Sequence, residues 1–355
     1  MIDGIPQTPR VSVIIPCHNL GQYLDDAVHS VLAQTYQDFE ILVVDDGSTD
    51  PATQSLLADY RRPGTRVIHV PHAGLAAARN VGVNNASGEY LCALDADDRL
   101  QSSYLAKTVR VLDSDPSITF VSSWLRAFGD EEWEWKPERC DLPALLCEDT
   151  VLTAALVRRK AVVAIGGYDT TMPVQGDEDW DLWLTLVERG YRGVILREVL
   201  FDYRRREGSM SHVAWYGSGH LPLASYRVAK HSEAYRAHLV DVFLHQDAET
   251  SALLRRNDEI ERYLASELEP AIAARREELA VLRSRLASLE PRDSKASGTE
   301  SKESLVQMRE RACDLETALN AASAELTAFR TSMSWRITGP LRTVYGWWLR
   351  RRRPE

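Results

Sequence analysis

The 355-residue chain reads as an α/β protein with a mostly parallel central sheet flanked by helices, followed by an α-helical extension. Three observations predict this. Over roughly the first 235 residues, short β-branched apolar runs alternate with segments of helical period, as strands joined by crossover helices do. Acidic clusters close two of those runs, and the carboxyl ends of parallel strands are where such sheets open a ligand crevice. From about Asp241 onward, Ala, Leu, Glu and Arg dominate and apolar residues fall three and four apart, a helical spacing.

Val11–Ile15 is the first predicted strand. After it come Leu24, Ala27, Val28, Val31 and Leu32 at helical period, with Asn19 as the expected N-cap. Glu40–Val44, Val67–Val70 and Tyr90–Leu94 are the next strands, and Gly74–Asn85 is a short crossover helix. A further helix carries Trp183, Leu186 and Val187 on its apolar face and ends at Gly190. These elements make a catalytic region over residues 1–240.

In the region 241–333, Leu279, Leu282, Leu286 and Leu289 start a seam. Leu305, Met308, Ala312, Leu315, Leu319, Ala322, Leu326, Phe329 and Met333 form a second series after a polar stretch, out of phase with the first. That alternation predicts a coiled coil with a flexible break near 291–304, and through it a homo-oligomer or a partner helix. A helical hairpin is the competing reading. Residues 334–355 mix Trp335, Trp347 and Trp348 with arginines and end in Arg350–Arg353. Rings beside cations suit an anionic membrane surface.

The net charge of −10 argues against a general nucleic-acid binder. Five scattered cysteines without metal-ligand spacing suit a reducing compartment. No signal sequence and no apolar run long enough to span a bilayer are visible. A cytoplasmic protein, peripheral on the inner face of the membrane, is expected.

Four clusters carry chemistry. Asp45 and Asp46, in Val43-Val44-Asp45-Asp46-Gly47-Ser48, place acids at a strand end where they can accept from a base or ribose; an Asp-rich turn serves the same pattern. Asp95-Ala96-Asp97-Asp98 puts three acids within four residues, and these would repel unless a cation joined them. Hard Mn2+ or Mg2+ takes such oxygen ligands together with phosphate, with Asp97 as the direct ligand and Asp95 on the ribose or a metal-bound water. Glu178 and Asp179 open a helix beside Trp180; an acid against an aromatic wall gains basicity, and an indole stacks on a sugar face. Tyr203-Arg204-Arg205-Arg206, in an expected loop, brings cations suited to phosphate. The stretch 122–176, where an acceptor would bind, carries no readable motif.

In this order the clusters resemble the family 2 glycosyltransferases of the GT-A fold, of the bacterial surface-polysaccharide type. Val11–Asn19 looks like the family's opening strand, with Pro16, His18 and Asn19 at its nucleotide-contacting end and His18 where tyrosine is usual. The resemblance implies that Asp46 recognises the base and that Arg79, in Arg79-Asn80-Val81-Gly82, reaches the nucleotide. It further implies that Asp95-Ala96-Asp97 is the metal-binding DxD and that Asp179 is the catalytic base of the Glu178-Asp179 pair. Arg204 lies in the loop closing over the diphosphate, and Arg206 stands where many members have histidine. The implied activity is inverting transfer from a nucleoside-diphosphate sugar to a glycan or lipid-linked glycan. A nucleotidyltransferase would carry a Gly-rich phosphate loop after the first strand. A non-catalytic scaffold would use only the helical extension.

Overall fold

A computed structural model of the chain describes residues 8–206, 209, 220–289 and 299–331. It divides into two compact units, Met1–Phe243 and Leu244–Glu355.

The first unit is built on one sheet. Its parallel half comprises β1 (Val11–Cys17), β2 (Phe39–Asp46), β3 (Thr65–Val70) and β4 (Tyr90–Ala93), in the order β3-β2-β1-β4. Every residue of β1 is buried because helices cover both faces of the sheet. Alternate side chains go to opposite sides. Val11, Val13 and Ile15 join a core with Leu24, Ala27, Val28 and Val31 of helix α1 (Gly21–Leu32). Ile14 packs into a second core with Ala78 and Val83 of helix α3 (Leu75–Asn85). The approach of α3 is close enough that a Cβ on Gly82 would lie 2.2 Å from Ile14 Cγ2, so glycine there sets the packing distance. Between β2 and β3 lies helix α2 (Pro51–Ala58), capped by Asp50, whose carboxylate accepts from Thr53 N.

Beyond β4 the sheet becomes mixed. β8 (Leu156–Arg158) pairs antiparallel with β4 and with β6 (Ile118–Gly129), and β6 runs parallel to the long β9 (Arg192–Arg205). β5 (Arg99–Leu100) closes the far edge against β9, and β7 (Glu134–Trp135) folds back on β6. Helices α4 (Tyr104–Ser114), α5 (Leu142–Cys147), α6 (Arg159–Ile165) and α7 (Glu178–Glu188) fill the connections. Two later helices, α8 (His220–Lys230) and α9 (Ser232–Ala237), complete the unit. The cysteines are free, with Cys17, Cys92 and Cys140 buried.

Two local expectations change. Asn19 does not cap α1; Leu20 stands there, with no side-chain cap. Asn19 adopts φ +57°, and its Oδ1 accepts from Thr49 N and Asp50 N at 2.7 and 2.8 Å, a bond set that ties the turn after β1 to the turn after β2. Arg204 and Arg205 lie on strand β9 rather than in a loop, since β6 pairs with that strand as far as Arg205.

The second unit is helical, from α10 (Leu239–Tyr263) through a π-turn at Leu264–Leu268 to α11 (Glu269–Leu289) and α12 (Thr299–Thr331). The heptad residues meet one another within the chain. Leu264, Leu268 and Ile272 pack on Ala322, and Leu279 packs on Ala312 and Leu315. Early residues of one arm therefore face late residues of the other, an antiparallel hairpin, with Arg311–Glu278 as a flanking ion pair at 3.1 Å. The seam that suggested oligomerisation is buried within one copy. The expected break near 291–304 and the aromatic–arginine tail at 334–355 lie largely or wholly outside the described residues. Among those described, no helix is long and apolar enough to cross a membrane.

Candidate active site at the carboxyl edge of the sheet

The ends of β1, β2 and β4 converge with the start of α7 and the end of β9 on a cavity of about 470 Å³. Pro16, His18, Asp46, Arg79, Asp95, Ala96, Asp97, Glu178, Asp179, Arg204 and Arg206 share its wall, although the chain separates them by up to 190 positions.

At the β2 end, the carboxylate of Asp46 accepts from Ala73 N and Gly74 N at 2.8 and 2.9 Å. His72 Nδ1 lies 2.9 Å from the same carboxylate and His18 Nδ1 lies 2.8 Å from the Asp46 carbonyl. The two imidazoles stack with centroids 4.3 Å apart. Asp45 points elsewhere and is held by Ser48 N and His69; those bonds, working against burial, bring its carboxyl below the ordinary value.

Behind the β4 end runs a buried cross-brace. Arg79 is 1% exposed, and its guanidinium bonds Glu178 Oε1 at 2.6 Å and Asp95 Oδ1 at 2.8 Å. Glu178 is also held by Gly176 N at 2.9 Å, so both its oxygens are engaged. Burial raises the Asp95 carboxyl, with Arg79 opposing, and raises Asp98 well above the ordinary value, with the charges of Asp97 and Asp95 adding to it. Cations crowd these acids. Arg206 Nε sits 2.8 Å from Asp97 Oδ2, Arg204 Nε donates to the Asp97 carbonyl at 2.8 Å, and Arg204 N donates to Asp98 at 2.7 Å.

Asp179 lines the cavity beside Asp149 and Thr153. It accepts from Trp180 N at 2.9 Å and from the Thr153 hydroxyl. Burial and the neighbouring charge of Glu178 push its carboxyl up to about 6, with Arg79 and the hydrogen bonds opposing. The α7 terminus is pinned from behind by α8: Arg227 bonds Asp177 and Lys230 bonds Asp181 at 2.7 Å. The adjoining His231 bridges Asp181 and Glu188 at 3.0 and 2.7 Å.

These motifs and this sheet order have known counterparts. The family model for glycosyl transferase family 2 matches residues 12–168. TuaG of Bacillus subtilis (strain 168), a glycosyltransferase assigned to teichuronic acid biosynthesis, is 31% identical over 216 residues. That match covers 58% of this chain and 83% of TuaG. The chain belongs to glycosyltransferase family 2. The glycosyltransferase MJ1057 of Methanocaldococcus jannaschii is 26% identical over 224 residues, 59% of this chain and 76% of its own. A crystal structure of GalNAc-T7 with UDP, GalNAc and Mn2+ aligns with TM-score 0.51 at 19% identity, over 63% of this chain and 48% of that one. The shared architecture is the GT-A fold, and glycosyl transfer is the activity of the family.

Within this family 2 chain, three expected site residues turn away from the cavity. Asn19 and Asp45 bind neighbouring turns, and Asn80 exchanges two 2.8 Å hydrogen bonds with the Tyr168 backbone. Trp180 offers no face to a sugar. It is 4% exposed, donates Nε1 to Leu145 O at 2.6 Å and has the Arg227 guanidinium 3.4 Å over its ring. Helical geometry explains this, because Asp179 and Trp180 point about 100° apart and one of them must enter the core. Sequence reading missed His72, Thr153 and Asp149. None lies in a recognisable motif, and each sits in a segment outside the helices and strands.

Proposed function

We propose that the chain transfers a sugar from a nucleoside-diphosphate sugar to an acceptor hydroxyl with inversion, in bacterial polysaccharide synthesis at the inner membrane face. The observation that carries this reading is the single cavity uniting Asp46, the Asp95–Asp97 cluster, Asp179 and two arginines.

Pro16 and the stacked His18–His72 pair form the wall for the base, beside Asp46. Arg204 and Arg206 bring positive charge to where the diphosphate departs. Asp179 takes the acceptor proton as its oxygen attacks the anomeric carbon from the opposite side. Thr153 and Trp180 N hold the carboxylate in place for that transfer.

The residues present fit a divalent cation. The donors are all carboxylate oxygens, and the cluster draws Arg206 onto Asp97 as a counter-charge. Asp97 would hold Mn2+ or Mg2+, with Asp95 beside it, and the ion would neutralise charge on the leaving diphosphate. Purified protein should hydrolyse one member of a panel of UDP-, GDP- and TDP-sugars slowly. EDTA should abolish this and Mn2+ or Mg2+ restore it. No hydrolysis of any donor would remove the reading, and full activity in EDTA would remove the cation.

A further inference from the structure

A second cavity, of about 290 Å³, lies on the other side of Asp179. Asp95, Asp149, Thr153, Asp179 and Tyr203 line both cavities, so the two meet at the residue read above as the base. Its outer wall is aromatic. Trp133, 40% exposed, and Tyr203 form an open V with centroids 6.4 Å apart and planes at 55°. Their support is strand backbone: Ala127 N donates to Trp133 O at 2.8 Å, Trp135 pairs with Leu125, and Tyr203 pairs with Ala127. The backbone under both rings is thus fixed before any ligand arrives, which lowers the cost of ordering.

The inner wall is acidic. Asp95, Asp98, Glu148, Asp149 and Asp179 line this cavity, and no described lining residue is basic. The donor cavity differs, since Arg79, Arg204 and Arg206 share its wall. Among the described residues a phosphate therefore finds its cations on the donor side and none here. An apolar ring face opposite hydrogen-bond acceptors matches a pyranose, which presents C–H bonds on its faces and hydroxyl donors at its edge. The volume, just below the roughly 300–1,000 Å³ typical of ligand sites, suits one ring rather than a chain of them.

We infer that this cavity binds the terminal ring of the acceptor, an uncharged pyranoside seated on Trp133 with one hydroxyl directed at Asp179. The inference rests on the glycosyl-transfer reading for the role of Asp179, and it adds where the acceptor's terminal ring sits and that this ring is uncharged. In the step it serves, the hydroxyl oxygen forms a bond to the donor's anomeric carbon and its proton passes to Asp179. The bond from that carbon to the diphosphate oxygen breaks, and its electron pair leaves with the diphosphate.

The test uses the full chain and methyl glycosides of glucose, galactose, mannose and N-acetylglucosamine, each beside its 6-phosphate, in saturation-transfer NMR. At least one neutral glycoside should receive saturation through its ring protons. Trp133→Ala should weaken that binding about tenfold and Trp133→Phe much less, as loss of a stacking face predicts. The matching 6-phosphate should bind at least about tenfold more weakly. Absence of binding by every glycoside, unchanged binding in Trp133→Ala, or equal binding of the phosphate would each overturn the inference. Donor hydrolysis by the same wild-type preparation separates the two readings. Hydrolysis without glycoside binding ends the acceptor assignment alone, whereas glycoside binding without hydrolysis of any donor ends the transfer reading and keeps the sugar site.

Discussion

Replacing Asp179 with asparagine removes one proton acceptor and almost no volume. The wild-type carboxyl, raised to about 6 by burial and by Glu178, is about 97% ionised at pH 7.5 and about 9% at pH 5, so a base-dependent rate falls about tenfold across that span. Asparagine keeps a partner for Thr153 but takes no proton, and loss of general-base catalysis costs about 10²- to 10⁴-fold. Stability should move the other way. A carboxyl whose folded value is raised contributes stability that is present below its unfolded value, near 3.8, and lost as pH rises through about 6. At pH 7.5 the uncharged variant should therefore melt no lower than wild type, and any advantage should vanish towards pH 4. Initial rates of nucleotide release from the accepted donor, measured from pH 5 to 8.5 with melting curves alongside, give both readouts. Turnover within tenfold of wild type, or an acid limb near pH 6 that survives in Asp179→Asn, would refute the assignment.

Arg79→Met should destabilise the first unit by about 3 kcal/mol or more in urea titration, because it leaves buried Glu178 and half-buried Asp95 without their shared cation. His231 should make stability pH-dependent. Burial opposes its charge, but hydrogen bonds to Asp181 and Glu188 raise its pKa above 6.5; Lys230, which shares Asp181, is a like charge that does not contribute to the rise. Its contribution is fully present below about 6.5 and lost as pH rises through the raised value, so the melting-temperature gap between wild type and His231→Gln should be widest near pH 5.5 and close at alkaline pH. In the second unit, Leu315→Asp with Leu319→Asp should lower helical circular dichroism while leaving the mass in light scattering unchanged, since the hairpin seam packs within one copy; a drop in mass would restore the oligomeric coiled coil.

The parallel half of the sheet was legible because β1, β2 and β4 are largely apolar, buried runs, and β2 and β4 have acids appended in sequence. Val43-Val44-Asp45-Asp46 and Ala93-Leu94-Asp95 show both parts side by side. The mixed half was not. β6 and β9 pair over their whole length with register shifts at Ser123–Leu125, and no short-range pattern encodes a partner some 75 residues away. Neighbouring acids were also indistinguishable in advance. Asp46 faces the cavity and Asp45 does not, because successive strand residues point to opposite sides. The Trp133-x-Trp135 alternation was the one available sign of the aromatic ledge. It is two residues of strand pattern in a polar stretch, too short to separate from a turn.

Arg79, which lines the donor cavity, also does structural work. Resemblance gives it a contact with the nucleotide. Its geometry joins Asp95 at the end of β4 to Glu178 at the start of α7, two acids 83 positions apart in the chain. Both carboxylates lie beside a residue with a proposed task, Asp97 on one side and Asp179 on the other. Planar guanidinium bonds of 2.6 and 2.8 Å from a side chain 1% exposed fix the separation of those neighbours more tightly than loops could. A base must stand within about 3 Å of the hydroxyl it deprotonates while the diphosphate is held elsewhere in the same cavity. On the proposed mechanism, the buried brace serves both requirements in one fold.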